Sequence, residues 1–122
     1  MYELKINGEF SSAHSLRNYK GRCENLHGHN WKVEIIVTGE TLDRIGLLID
    51  FNILKKKLNI ILKMLDHKNL NSIPFFIERN PSSENIAFFI YKKMERLLRG
   101  YPVRIQKVTV WENEKQCASY YE

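Results

Sequence analysis

The stretch His27-Gly28-His29-Asn30-Trp31-Lys32-Val33-Glu34-Ile35-Ile36-Val37-Thr38 decides the fold. Trp31, Val33, Ile35 and Val37 occupy alternate positions, with Lys32, Glu34 and Ile36 between them. A period of two in a run of β-branched and aromatic residues predicts a half-buried strand over 27–38, closed by Thr38-Gly39. The same alternation governs the first residues of the stretch. His27 and His29 are two apart, so in a strand both imidazoles face one side. Gly28 between them has no side chain and leaves room for close approach.

Upstream, residues 2–13 alternate more loosely through Tyr2, Leu4, Ile6 and Phe10 and predict another strand. Residues 15–26, with Asn18, Lys20, Gly21 and Arg22, read as a polar loop. Two strands joined by such a loop are expected to be antiparallel neighbours. Downstream, Asp50 is a natural N-cap for a helix whose apolar residues Phe51, Leu54, Leu58, Ile61, Leu62 and Leu65 recur at helical spacing. That helix should end near Asp66. Ile73-Pro74 and Asn80-Pro81 break the next stretch.

Asn80-Pro81-Ser82-Ser83-Glu84 predicts a second helix start, with Pro81 early in its first turn and Glu84 near the positive end of its dipole. Ile86, Ile90, Met94, Leu97 and Leu98 supply its apolar stripe, and Gly100 its stop. Residues 103–112 (Val103, Ile105, Val108, Val110) and 117–121 predict two closing strands. The order is β-β-α-α-β-β, an α+β chain in which an antiparallel four-stranded sheet carries two helices on one face. Its outer strands would be bare. An exposed edge is a template for pairing, so further cover is expected from other copies of the chain.

The 122 residues fit one domain, 1–122. With 43% apolar and 27% charged residues the composition is globular, not disordered. The net charge of +5 admits an anionic ligand. The basic residues are spread over helices and loops, without an aromatic-interleaved stripe, so no nucleic-acid partner is expected. No apolar run approaches the roughly 18 residues of a membrane span. Met1-Tyr2-Glu3-Leu4-Lys5 lacks a basic region followed by an apolar one, and two cysteines are too few for a disulfide scaffold. A reduced, cytoplasmic chain is the expectation.

The chain has four histidines, His14, His27, His29 and His67. His14 stands at the end of the first predicted strand and arrives beside His27 and His29 if the two strands pair. Three converging neutral imidazoles make a tridentate zinc site with a fourth position open, the catalytic arrangement. A His-x-His pair by itself is more often two ordinary surface or core histidines than a metal site, and the third histidine raises the metal reading to an even alternative. Cys23 lies four residues before His27, beside Arg22. A thiol near a cation and basic side chains should ionise readily, and its thiolate can take a proton from a substrate. Cys117, in a predicted edge strand, reads as a small packing group. Asp66-His67 is either a proton-transfer pair or a polar helix end. Glu112, after Val108 and Val110, is either a grip for a donor-donor edge or a charged strand terminus.

Together these residues resemble the 6-pyruvoyl-tetrahydropterin synthase and 6-carboxytetrahydropterin synthase family. The carriers are Phe10-Ser11-Ser12-Ala13-His14, Cys23-Glu24-Asn25-Leu26-His27-Gly28-His29, Asp50-Phe51 with Leu54-Lys55, Leu65-Asp66-His67 with Leu70-Asn71, Asn80-Pro81-Ser82-Ser83-Glu84-Asn85, and Glu112. They stand in the family's order over nearly the whole chain. The resemblance implies the T-fold, whose sheets assemble into a barrel, in a homo-hexamer of two stacked trimers with active sites between subunits. It implies zinc on His14, His27 and His29, and a proton-transfer set of Cys23, Asp66 and His67. It also implies that Glu112, with the Ser82-Ser83 segment, holds the pterin.

The implied substrate is a small molecule, 7,8-dihydroneopterin triphosphate. The bacterial branch makes 6-carboxytetrahydropterin, acetaldehyde and triphosphate on the way to queuosine, and the animal branch makes 6-pyruvoyl-tetrahydropterin. The four-residue step from Cys23 to His27 is similar to the bacterial branch. Arg17, Lys20 and Arg22 flank the site and are either triphosphate contacts or solvated surface. Glu24 departs from that branch. Family members with Glu in this region cleave dihydroneopterin to 6-hydroxymethyl-dihydropterin for folate synthesis, and Cys with Glu resembles a bifunctional type, so Glu24 is a further candidate for proton transfer. Ser12, where Ala is common, and Asn113, where Thr is common, are smaller departures.

Overall fold

The computed structural model describes residues Met1–Glu122, and its first two strands pair antiparallel along their full length. β1 (Tyr2–His14) meets β2 (His27–Gly39) from Tyr2 opposite Gly39 to His14 opposite His27. Helix α1 (Phe51–Leu65) comes next, then two short 3-10 turns, Leu70–Ser72 and Pro74–Phe76. Helix α2 (Ser83–Leu97) leads to β3 (Arg104–Asn113) and β4 (Gln116–Tyr120). The sheet order is β1-β2-β3-β4, all antiparallel. This is the β-β-α-α-β-β arrangement expected from the sequence. No helix is long and apolar enough to cross a membrane.

The alternation in β2 sets the core. Trp31, Val33, Ile35 and Val37 are fully buried and pack with Val108 and Val110 of β3 beneath both helices. From α1 come Leu54, Leu58, Ile61 and Leu65, and from α2 Ile86, Ile90 and Met94. α1 lies over β1, where Gly8 permits the approach: a Cβ there would sit 2.5 Å from Leu62 Cδ1. α2 lies over β3 and β4. The opposite sheet face carries exposed Lys5, Asn7, Glu9 and Lys32. Ile36, read as facing that side, is buried; there the ladder slips between Ile36 and Val37, with Gln106 the extra residue of β3.

Two local expectations are corrected. Pro81 is not in the first turn of α2, because Ser82 is the N-cap and its side chain accepts from the Asn85 N–H. A hydroxyl satisfies one of the helix's orphan N–H groups and proline has none to offer, so the helix begins at the serine. Asp50 caps α1 as expected, accepting from the Asn52 N–H. Cys117 is exposed, opposite Trp111, and so does not fill a packing gap. Its place on the ladder puts it with Thr109 and Ser119, on the face away from the helices.

The sheet edges are β1 and β4. Part of the β1 edge is covered from within the chain: His67 N–H donates to Ser11 O, Ala13 N–H donates to Lys68 O, and Ala13 bridges Asn69. The segment after α1 therefore closes the edge at the histidine end.

Candidate metal centre

The full-length β1–β2 ladder brings three histidines to one end of the sheet on its helix side. His14 and His27 are direct ladder partners, and His29 is the next same-face residue. Ring centroids lie 4.7 Å apart for His14 and His27, 5.1 Å for His14 and His29, and 4.8 Å for His27 and His29. One ligand atom from each, with a carboxylate oxygen of Glu112, falls within a common span of 4.8 Å.

Two of the rings have their tautomer set by backbone carbonyls. His14 Nδ1 lies 2.7 Å from Pro81 O, and His27 Nδ1 lies 2.8 Å from Asn25 O. A carbonyl accepts only, so Nδ1 carries the proton and Nε2 keeps its lone pair for a metal. His14 Nε2 and His29 Nε2 are both buried without a hydrogen-bond partner. Buried ring nitrogens without hydrogen-bond partners, gathered within 4.8 Å of one another, are costly in a purely structural cluster and fit a divalent cation. Burial lowers the His29 pKa, with the Glu112 charge opposing it, which favours the neutral ligand form. Trp31 walls the rings from behind, edge-on to His14 and His29, its Nε1–H donating to Ser12 O over 3.1 Å.

Glu112 continues the alternation of Val108 and Val110 and so faces the histidine side of the sheet; on its other edge β3 bulges against β4 at this residue. Trp111 pairs Cys117 and Asn113 pairs Gln116, so Glu112 is the extra residue of β3. Its Oε1 lies 2.9 Å from His29 Nε2, without hydrogen-bond alignment, and 3.8 Å from His14 Nε2. The sequence reads Glu112 as a strand end, and the period of two that buries Val108 and Val110 turns it to the histidine side. Its nearness to His29 follows from the β2–β3 register, which the apolar pattern does not give.

Asp66 and His67 line the same open cavity as His29 and Glu112, of about 1090 Å³. Asp66 is the C-cap of α1; its Oδ1 accepts from the Ser11 N–H at 2.8 Å and its Oδ2 lies 3.5 Å from His67 Nε2. His67 takes a left-handed backbone, φ 54°, and its side chain is 83% exposed. A non-glycine residue in that region is strained, and strain of this kind gathers at working sites.

Cys23 is not in that cavity. It is exposed in the β1–β2 loop, lining a shallow depression with Lys20, Arg22 and Glu24. Ser82 is engaged as the α2 cap, and neither Ser82 nor Ser83 lines the histidine cavity. Arg17 donates through Nη2 to Phe76 O and Arg79 O, which ties its guanidinium to the segment before α2; Lys20 and Arg22 are exposed. A separate cleft of about 490 Å³ beside Tyr91, Leu98 and Arg104 has no histidine or cysteine.

Residues 3–122 match the family model described as 6-pyruvoyl tetrahydropterin synthase. The chain is 36% identical to dihydroneopterin monophosphate aldolase of Pyrococcus furiosus, over 87% of this chain and 85% of that protein. It is 34% identical to 6-carboxy-5,6,7,8-tetrahydropterin synthase of Synechocystis sp., over 92% of this chain and 87% of that protein. The solved structure of Caenorhabditis elegans 6-pyruvoyl tetrahydropterin synthase superposes with a TM-score of 0.87 at 27% identity, covering 99% of this chain and 95% of that one. The chain belongs to the 6-pyruvoyl tetrahydropterin synthase family and has its T-fold; it is an enzyme of the tetrahydropterin synthase type.

Proposed function

We propose that the chain is a zinc-dependent lyase converting 7,8-dihydroneopterin triphosphate to 6-carboxytetrahydropterin, acetaldehyde and triphosphate, in the cytoplasmic route to queuosine and other deazapurines. One observation carries the metal part: two buried ring nitrogens, Nε2 of His14 and of His29, without hydrogen-bond partners, beside a His27 whose Nδ1, like that of His14, is turned to a carbonyl. The Synechocystis relative, whose name is the 6-carboxytetrahydropterin reaction, supports the chemistry. So does the four-residue step from Cys23 to His27.

His14, His27 and His29 would hold the ion. Zinc, when bound, acts as a Lewis acid that makes the substrate's side-chain hydroxyls and adjacent C–H bond more acidic. Cys23 thiolate takes a proton from the substrate side chain. His67 donates or accepts another, and Asp66, anchored on the Ser11 N–H, holds its imidazole. Glu112 turns its carboxylate from His29 to the amino-pyrimidine edge of the pterin, where an ionised acceptor meets two donors. The Ser82-Ser83 segment supports the pterin in this reading, and the Ser82 hydroxyl, which accepts from the Asn85 N–H, keeps its own O–H to donate.

Cys23 and the Asp66–His67 pair lie in separate hollows of one chain. A site shared between subunits would unite them, and the edges of β1 and β4 are where copies would pair into a barrel. A hexamer of two stacked trimers is the assembly in this reading.

A second reading, cleavage of dihydroneopterin to 6-hydroxymethyl-dihydropterin for folate synthesis, is favoured by the name of the Pyrococcus relative and by Glu24 beside Cys23. Incubation of the purified protein with dihydroneopterin and with its triphosphate, products identified by mass, tests both. 6-Carboxytetrahydropterin from the triphosphate is expected. 6-Hydroxymethyl-dihydropterin as the sole product replaces the first reading by the second, and neither product removes both.

A further inference from the structure

His14 takes its tautomer from a residue far along the chain. Its Nδ1 lies 2.7 Å from Pro81 O, in the segment that leads into α2, and both residues are buried. Where that carbonyl points is a matter of torsions. The pyrrolidine ring locks Pro81 φ, and the residue before a proline is confined to extended conformations. One soft torsion is left at Pro81, its ψ, and that torsion swings the carbonyl toward His14 Nδ1 or away from it.

Asn85 ties the chain on both sides of this torsion. Its Nδ2 donates to Asn80 O at 2.8 Å, before Pro81, and its backbone N–H donates to Ser82 Oγ at 3.2 Å, after it. A carbonyl only accepts, so the amino group of the Asn85 amide is the part that faces Asn80 O. Both anchors are themselves seated. Asn80 brackets Arg17, accepting its N–H at 2.8 Å and donating to its carbonyl at 3.0 Å. Ser82 O accepts from the Ile86 N–H at 2.9 Å. The bond to Ser82 is an ordinary helix cap. The bond to Asn80 satisfies no group of the helix; it closes a ring of chain around Pro81.

We propose that Asn85 is a positioning residue of the metal centre: by bonding Asn80 and Ser82 it fixes Pro81 ψ, holds the Pro81 carbonyl against His14 Nδ1, and so keeps the Nε2 lone pair of His14 free for the ion. The proposal rests on the zinc reading only where affinity is measured. The tautomer of His14 is a property of the chain alone.

The test compares Asn85→Ala and Asn85→Asp with the wild type in the full chain. Aspartate at this third helical position keeps the Ser82 cap and places a negative charge at the positive end of α2, but a carboxylate has no N–H for Asn80 O. Zinc affinity, measured by competition with a chelator, is expected to fall about tenfold in both variants, as for loss of an outer-shell partner. The denaturant midpoint of metal-free Asn85→Asp is expected at the wild-type value. Nitrogen NMR of isotope-labelled histidine, without metal and above the imidazole pKa, is expected to show His14 as the Nδ1–H tautomer in the wild type and as a mixture in both variants. Wild-type zinc affinity in both variants overturns the proposal, and so does a His14 that keeps its Nδ1–H tautomer in both. Affinity lost in Asn85→Ala alone, together with stability, would make Asn85 a helix residue only and overturns it as well. If the wild type binds no zinc, the metal reading fails, and the His14 tautomer alone still decides the role of Asn85.

Discussion

The histidine end of the β1–β2 ladder and the loop that leaves it are built by opposite means. In the ladder, backbone pairs with backbone from Tyr2 to His14, and the side chains of His14, His27 and His29 remain free to converge. In the loop, the backbone of Ser15 and Arg17 has no strand beside it, and Asn71 and Asn80 are consumed in satisfying it. Buried peptide groups demand partners in both places. Where the fold supplies them through a ladder, polar side chains become available for chemistry. Where it does not, polar side chains are spent on support.

The largest effect expected from this contrast falls on the ladder. His14→Ala should reduce bound zinc from about one per chain to near zero and turnover by at least about a thousandfold, read by elemental analysis and product formation. A His14→Ala protein that keeps stoichiometric zinc would break the comparison, because His14 would then be support rather than ligand. Next comes the loop's own functional group. Cys23→Ala should lower turnover by about a hundredfold or more while zinc stays bound. Near wild-type turnover would remove the thiolate from the mechanism.

The same contrast explains what is legible in the sequence. Alternation in β2 gives the strand, the buried face and the convergence of His27 with His29, because a ladder obeys a period of two. Helical spacing gives α1 and α2, and Asp50 its cap. The start of α2 is ambiguous in the sequence, since the proline signal of Pro81 and the cap signal of Ser82 stand side by side, and the structure decides for the serine. Glu112 reads as a strand end; the alternation of Val108 and Val110 turns it to the histidine side, but its contact with His29 depends on the β2–β3 register, which the pattern alone does not give. The roles of Asn71 and Asn80 are invisible because each reaches across more than fifty residues of chain to an irregular segment. Pattern reading sees groups that repeat, and support of a loop does not repeat.

A smaller effect sharpens the loop side. Asn80→Ala leaves the Arg17 N–H and carbonyl without their partners and should cost about 2 kcal/mol of stability, measured by denaturant unfolding. Asn80→Asp should not repair it, because the carboxylate has no N–H to give to Arg17 O. Full recovery in Asn80→Asp would mean that only the acceptor half of the bracket matters.

The smallest effect is expected at His67, where ladder and loop meet. Its N–H donates to Ser11 O at 2.6 Å, binding the end of α1 to the β1 edge, and this docking holds a histidine at φ 54°. The position after a helix C-cap in that conformation ordinarily suits glycine, since a Cβ there crowds the backbone by about 1 kcal/mol. His67→Gly keeps the N–H and its bond to Ser11 and removes the crowding. It should therefore raise the melting temperature by about 3–5 °C. The imidazole lost in the exchange is the exposed one beside Asp66, so turnover should fall in the same variant. Stability and activity moving in opposite directions would identify His67 as a residue kept at some cost to the fold. A variant that loses stability instead would show that the imidazole, and not only the backbone bond, fastens α1 to the sheet.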